Sequence, residues 1–201
     1  MTRIQTGSVR IIGGHWRGSK LPVADLVGLR PTADRVRETL FNWLSASLPG
    51  ANVLDLFAGT GALGFEAASR GAAHVVMVER DPALAASLRA SAARLRADTI
   101  EIACDDALHW LSRAPRLRFD IVFLDPPFAA ALLQPALAVL TPWLAADALL
   151  YLESPRDDAL IVPDGCILHR NGSTREVRYA LYRRCAATLA HDSIEQDPAR
   201  A

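Results

Sequence analysis

The sequence predicts an α/β fold: a parallel, doubly wound sheet that finishes with an antiparallel hairpin. Three observations carry this. From residue 52 onward, short apolar runs alternate with helical patterns at the spacing of βαβ units. "VLDLFAGTGALGFEAA" sets a glycine-rich loop between a strand and a helix. Near the end, "GCILHRNGSTREVRYALYRR" places Asn171-Gly172, a strong hairpin-turn signal, between two strand-like stretches. With 201 residues, 51% hydrophobic and 22% charged, the chain is long enough for one domain with a full core and a small appendage.

In chain order, residues 8–21 ("SVRIIGGHWRGSKL") read as two short strands around a Gly-Gly turn. Residues 32–48 follow as a helix. Thr32 is its N-cap, Val36, Leu40, Trp43 and Leu44 share one face, and Pro49-Gly50 ends it. Strands are predicted at 52–57, 74–79, 99–103, 119–124 and 147–153, and helices at 62–70, 82–97, 105–113 and 130–140. The chain thus divides into a basic β-hairpin extension (1–30), an α/β domain (31–185) and a frayed polar tail (186–201).

Formal net charge is zero, so no global field favours an anionic partner. Cys104, Cys166 and Cys185 are odd in number and widely spaced, which fits neither a disulfide framework nor a zinc pattern. The histidines show no ligand spacing, and no metal is expected. No apolar run approaches a membrane span and no signal-peptide core is visible, so a cytoplasmic protein is expected.

Gly59, Gly61 and Gly64 satisfy G-x-G-x-x-G, whose glycines permit a tight turn and close approach of a ligand to the backbone. Glu79, twenty residues past Gly59 at the end of the next strand, is placed to hold both hydroxyls of a ribose. A nucleoside cofactor is therefore expected, and Asp55 selects which. A carboxylate just before the loop would repel a pyrophosphate but would attract the ammonium of a methionine tail. S-adenosylmethionine has that tail, a ribose and an adenine, and no phosphate. Asp106, in "ACDDALHW" after the third strand, is placed to accept a hydrogen bond from the adenine amino group, with Asp105 the close alternative. Either is equally readable as a helix N-cap. Phe57, Thr60, Arg80 and Ala107 flank these positions and belong to the expected cofactor set. Arg35 joins it because "RPTADR" can fold back over the cofactor, with acids such as Asp55 holding the guanidinium; "PT" can equally just start the helix.

"FLDPPF" ends the fourth strand, which in a doubly wound sheet neighbours the glycine-loop strand. Methyl transfer is an in-line displacement, so alignment is most of the work. The nucleophile implied is an exocyclic amine on a nucleobase, whose lone pair is delocalised into the ring. The Asp125 carboxylate and the Pro126 carbonyl can take its two hydrogens and aim the lone pair at the methyl. Pro126 and Pro127 fix the backbone, and Phe128 offers a flat surface for an unstacked base. Glu153, in "YLESP", faces the same rim and reads either as a contact to the base or as a plain turn residue.

These segments resemble a known family. "DPPF" is similar to the D/N-P-P-Y/F/W signature of S-adenosylmethionine-dependent amino methyltransferases. "RIIGGHWRGSKL" (10–21) and "RPTADRVRETLFNWL" (30–44) narrow the resemblance to the RsmD family, over residue 8 to about 184. That family methylates the N2 amine of a guanine, number 966, in 16S ribosomal RNA. The resemblance implies a seven-stranded class I methyltransferase, Rossmann-like, with a small N-terminal β-hairpin. It implies that Gly59, Gly61 and their neighbours cradle the methionine part, that Glu79 holds the ribose and Asp106 the adenine. It places Asp125, Pro126, Pro127 and Phe128 in the catalytic loop.

Residues 1–37 hold seven Arg or Lys against Asp25 and Asp34. Arg10, Arg17, Lys20 and Arg37, with His15 and Trp16 between, suit phosphate contacts plus stacking, and Gly13, Gly14 and Gly18 leave the backbone bare. The expected partner is 16S ribosomal RNA, naked or within a partly assembled small subunit. Rival readings are an adenine-N6 or protein glutamine methyltransferase, a nicotinamide dehydrogenase and a non-catalytic RNA-binding module. The dehydrogenase leaves DPPF unexplained, and the binding module leaves Glu79, the glycine loop and DPPF together without a use.

Overall fold

The computed structural model describes residues 7–22 and 34–185. Strands β1 (Ser8–Arg10) and β2 (Lys20–Pro22) form a small antiparallel sheet. Helix α1 (Asp34–Trp43) leads into β3 (Asn52–Asp55), α2 (Ala62–Ser69), β4 (His74–Glu79), α3 (Pro82–Leu95), β5 (Ile100–Cys104), α4 (Ala107–Leu111), β6 (Phe119–Leu124) and α5 (Leu133–Val139). Then come β7 (Leu144–Pro155), β8 (Cys166–Ser173) and β9 (Val177–Arg184). The seven-stranded sheet runs β5-β4-β3-β6-β7-β9-β8, parallel from β5 to β7, with β9 antiparallel to both of its neighbours, β7 and β8. The chain winds outward from β3 to β5, then returns to β6 on the other side of β3. That reversal opens a crevice at the carboxyl ends of β3 and β6.

Alternation of side chains along the central strands feeds two cores. Val53, Met77, Phe123 and Tyr151 join Phe41, Phe65 and Leu88 of α1–α3. Leu54, Val78, Leu124 and Leu150 join Trp110 and Leu137 of α4 and α5. Cover on both faces is why these strands read as near-continuous apolar runs.

Two details depart from the sequence reading. Asn171-Gly172 does not make the final turn. Both lie within β8, opposite Ala180 and Tyr179. The turn is at residues 174–177, where Thr174 donates its N–H to the Val177 carbonyl (2.8 Å) and its hydroxyl accepts from the Val177 N–H (3.1 Å). Gly172 serves the Tyr179 ring instead: a Cβ there would stand 2.4 Å from it. Tyr179 in turn stacks on Trp43 of α1, 5.8 Å between centroids. Second, the helix expected at 130–140 starts as a 3-10 turn (Phe128–Ala130) and becomes α-helical only at Leu133. The Thr32 cap and the 186–201 tail lie outside the described residues.

The small hairpin is fastened to α2. Glu66, fully buried, accepts from Ile12 N–H (2.6 Å), Gly13 N–H (2.8 Å) and Arg70 Nε (2.7 Å). The Ser69 hydroxyl accepts from Trp16 N–H (2.9 Å) and donates to the Gly13 carbonyl (2.6 Å), while the Ser69 carbonyl accepts from His15 N–H (2.7 Å). Gly14 sits at φ 76°, and a Cβ there would stand 1.9 Å from the Ser69 carbonyl. Gly13 and Gly14 thus let the hairpin dock closely on α2.

Candidate active site

A cavity of about 550 Å³ opens where β3, β4, β6 and β7 end. Strand geometry delivers its acids: Asp55 and Glu79 are the last residues of β3 and β4. Asp55 is buried, and its Oδ2 accepts from Gly64 N–H in the first turn of α2 (2.9 Å). Burial pushes its carboxyl up to about 7, opposed by the Gly64 bond and aided by the nearby Glu79 charge. Glu79 accepts from Gly59 N–H (2.9 Å) and Asp81 N–H (2.8 Å), which holds the glycine loop in place. Each of its oxygens has a further lone pair to offer a hydroxyl. Gly59 (φ 52°) and Gly61 (φ 76°) both take the left-handed conformation that favours glycine, and the loop delivers Phe57, Gly59 and Thr60 to the cavity wall.

The two acids after β5 separate in role. Asp106 is the N-cap of α4, its Oδ1 accepting from Leu108 N–H (2.9 Å) and His109 N–H (3.1 Å). Asp105 is tied to His109 Nδ1 (2.8 Å) and to Arg113. The His109 hydrogen bond, and then the Arg113 charge, hold the Asp105 carboxyl below the usual range. Both line the cavity with Ala107 and Arg80.

The catalytic-loop residues of the sequence reading close the other side. Pro126 is buried, Asp125 half-buried, and Phe128 is 43% exposed on the cavity wall with Pro127. Leu124 pairs with Leu152 across β6 and β7, so Asp125 and Glu153 are the next residues on neighbouring strands. Glu153 is buried, and its Oε1 accepts from the Tyr151 hydroxyl (2.6 Å). Tyr151 gave no signal in the sequence because it sits within the apolar run "LLYLESP", where an aromatic reads as core.

Chemically, the described lining holds seven carboxylates, of Asp55, Glu79, Asp81, Asp105, Asp106, Asp125 and Glu153, against one guanidinium, of Arg80. Apolar Phe57, Leu63, Val78 and Leu84 fill much of the rest. Such a donor set fits a cationic amino-acid nucleoside such as S-adenosylmethionine and would repel a polyphosphate. Among the described residues no group of His, Cys, Asp or Glu has the arrangement to hold a metal ion, and no helix is long and apolar enough to cross a membrane.

Three predicted positions are not where the sequence put them. Arg35 is exposed on α1 and does not line the cavity; its neighbour Val36 does. Arg37, expected to face RNA, is fully buried. It bonds the Arg10 carbonyl (2.9 Å) and Asp34 (2.6 Å), which ties α1 to the hairpin. Trp16 is half-buried against the core, although its ring still meets His15 edge-on at 6.0 Å. Arg10, Arg17 and Lys20 are exposed and line a second cleft beside Asp34 and Glu38.

The sequence matches the family described as Conserved hypothetical protein 95 over residues 9–183. It is 46% identical over 182 residues to ribosomal RNA small subunit methyltransferase D of Escherichia coli K12, covering 89% of this chain and 91% of that protein. Identity to the protein of the same name from Haemophilus influenzae is 43% over 192 residues, covering 91% and 100%. Among solved structures, the candidate methyltransferase yhhF of Escherichia coli matches with a TM-score of 0.83 at 44% identity, covering 90% of this chain and 99% of that one.

Proposed function

We propose, because this chain belongs to the Conserved hypothetical protein 95 family together with the small-subunit ribosomal RNA methyltransferases D, that it methylates the N2 amine of a guanine in 16S ribosomal RNA. S-adenosylmethionine supplies the methyl, activated by its positive sulfur. The observation that carries the reading is the acid-rich cavity with the Asp125-Pro126-Pro127-Phe128 loop at its edge.

The chain's own part is binding and alignment. Asp55 faces the ammonium end, Glu79 the ribose, and Asp106 with Ala107 the adenine, between the loop residues Phe57, Gly59, Thr60 and Gly61 and the side chain of Arg80. Asp125 and the Pro126 carbonyl accept the two N2 hydrogens, which localises the lone pair and directs it along the breaking sulfur–carbon bond. The carbon–nitrogen bond forms as the bonding pair stays with sulfur, and one N2 hydrogen leaves as a proton to Asp125 or water. Phe128 supports the flipped base. Arg10, His15, Arg17 and Lys20 supply the phosphate contacts, and the substrate is the RNA in a partly assembled subunit, in the cytoplasm.

The test is mass mapping of modified nucleosides in ribosomal RNA from cells with and without the gene. One N2-methylguanine should vanish from small-subunit RNA and return with the wild-type gene but not with Asp125→Ala. An unchanged modification pattern overturns the reading.

A further inference from the structure

The mechanism above leaves one pair of buried polar groups without a task. Tyr151 is fully buried in β7, wedged edge-on against Phe123 at 6.3 Å between centroids. Its hydroxyl donates to Glu153 at 2.6 Å. Burial, the Glu153 charge and then the Asp125 charge push the phenol up, so it stays a donor at neutral pH. Glu153 lines the cavity beside the catalytic loop, at the register step shared with Asp125. A carboxylate offers about four acceptor positions, more than the Tyr151 hydroxyl takes up, so Glu153 can accept from a ligand while it is clamped. A turn residue would need neither burial nor this clamp.

Resting on the reading of the site as guanine-N2 transfer, we propose that Glu153, clamped by Tyr151, selects guanine by accepting its N1–H while the Asp125 loop holds the N2 amine. The chemistry of the two purines decides this. Next to its amine, guanine carries a ring N–H donor. Next to its own amine, adenine carries a ring nitrogen that can only accept. A buried carboxylate at that position satisfies guanine and sets two acceptors against each other with adenine. Sites built around one hydrogen bond reject the mismatched analogue strongly, because buried polar groups are left unpaired. The DPPF loop handles any exocyclic amine, so discrimination has to come from a neighbour, and Glu153 is that neighbour.

The experiment uses the full chain and small ribosomal subunits from cells lacking the gene, carrying either the mapped target guanine or an adenine substituted there. Wild type should methylate only the guanine subunits. Glu153→Gln, nearly isosteric, adds an amide donor. It should lower guanine kcat/KM about tenfold or more and raise the adenine-to-guanine ratio at least about tenfold. S-adenosylmethionine affinity, read by calorimetry, should stay within about twofold. Tyr151→Phe, which keeps the ring, should lower guanine kcat/KM about fivefold with cofactor affinity unchanged, and it decides the matter should Glu153→Gln fail to fold. An unchanged adenine-to-guanine ratio in folded Glu153→Gln, or an unaltered Tyr151→Phe, overturns the inference. Absence of guanine methylation by wild type instead overturns the proposed function.

Discussion

Two buried carboxylates join helix α2 to its surroundings, Glu66 from within the helix and Asp55 from β3, and they are used in opposite ways. Glu66 faces the small hairpin and accepts from three donors, two backbone amides and Arg70. Asp55, at the end of β3, meets the other end of the helix through Gly64 N–H, and burial leaves its carboxyl pushed up to about 7. A buried charge surrounded by fixed donors is structural cement. A buried carboxyl that burial holds partly protonated is prepared for a ligand that brings its own cation. The contrast separates the cofactor role proposed for Asp55 from the fastening role of Glu66, although both are acids hidden at one helix.

The largest expected effect breaks the cement. Glu66→Ala leaves Ile12 and Gly13 amides without their acceptor and should cost about 4 kcal/mol in urea denaturation. A loss below about 1 kcal/mol would erase the contrast. Next comes the pH dependence of Asp55. Its unfolded carboxyl ionises near 3.8 and its folded one near 7, so between those values the native state keeps a proton that the unfolded state has lost. Its stabilisation is complete below the lower value and is lost as pH rises to the upper one, about 2–4 kcal/mol in all. Asp55→Asn should remove that slope from the stability–pH curve of the ligand-free protein. Smaller again, the same variant should weaken S-adenosylmethionine binding about 10–100-fold at pH 7.5 and flatten the rise in wild-type affinity between pH 5.5 and 7, measured by calorimetry. The smallest effect tests the hairpin side once more. Ser69→Ala removes the hydroxyl bonds to Trp16 and Gly13 and should cost about 1 kcal/mol, with cofactor affinity unchanged.

The central strands, the glycine loop and the DPPF rim were legible because their signals are local. A strand covered on both faces is a short apolar run, and loop chemistry sits in consecutive residues. What was illegible depends on contacts between distant segments. Asn171-Gly172 carries turn chemistry, yet Gly172 answers to the Tyr179 ring, and Thr174 supplies the turn. Arg37 reads as a surface cation because its helix face is judged from apolar neighbours. Its burial follows from the Arg10 carbonyl and Asp34. Glu66 in "ALGFEAAS" gives no hint of burial, since its donors lie 53 and 54 residues upstream. Asp106 kept two readings in the sequence, and the structure shows the cap directly.

The four tryptophans are shared evenly between the two faces of the sheet. Trp16 and Trp43 rest on the layer that holds the hairpin, while Trp110 and Trp143 stack at 4.3 Å in the opposite layer. Each layer therefore has its own intrinsic fluorophores. Replacing one pair by phenylalanine leaves an emission signal that reports a single face, so the order in which the two halves of the molecule loosen can be watched optically without any added dye.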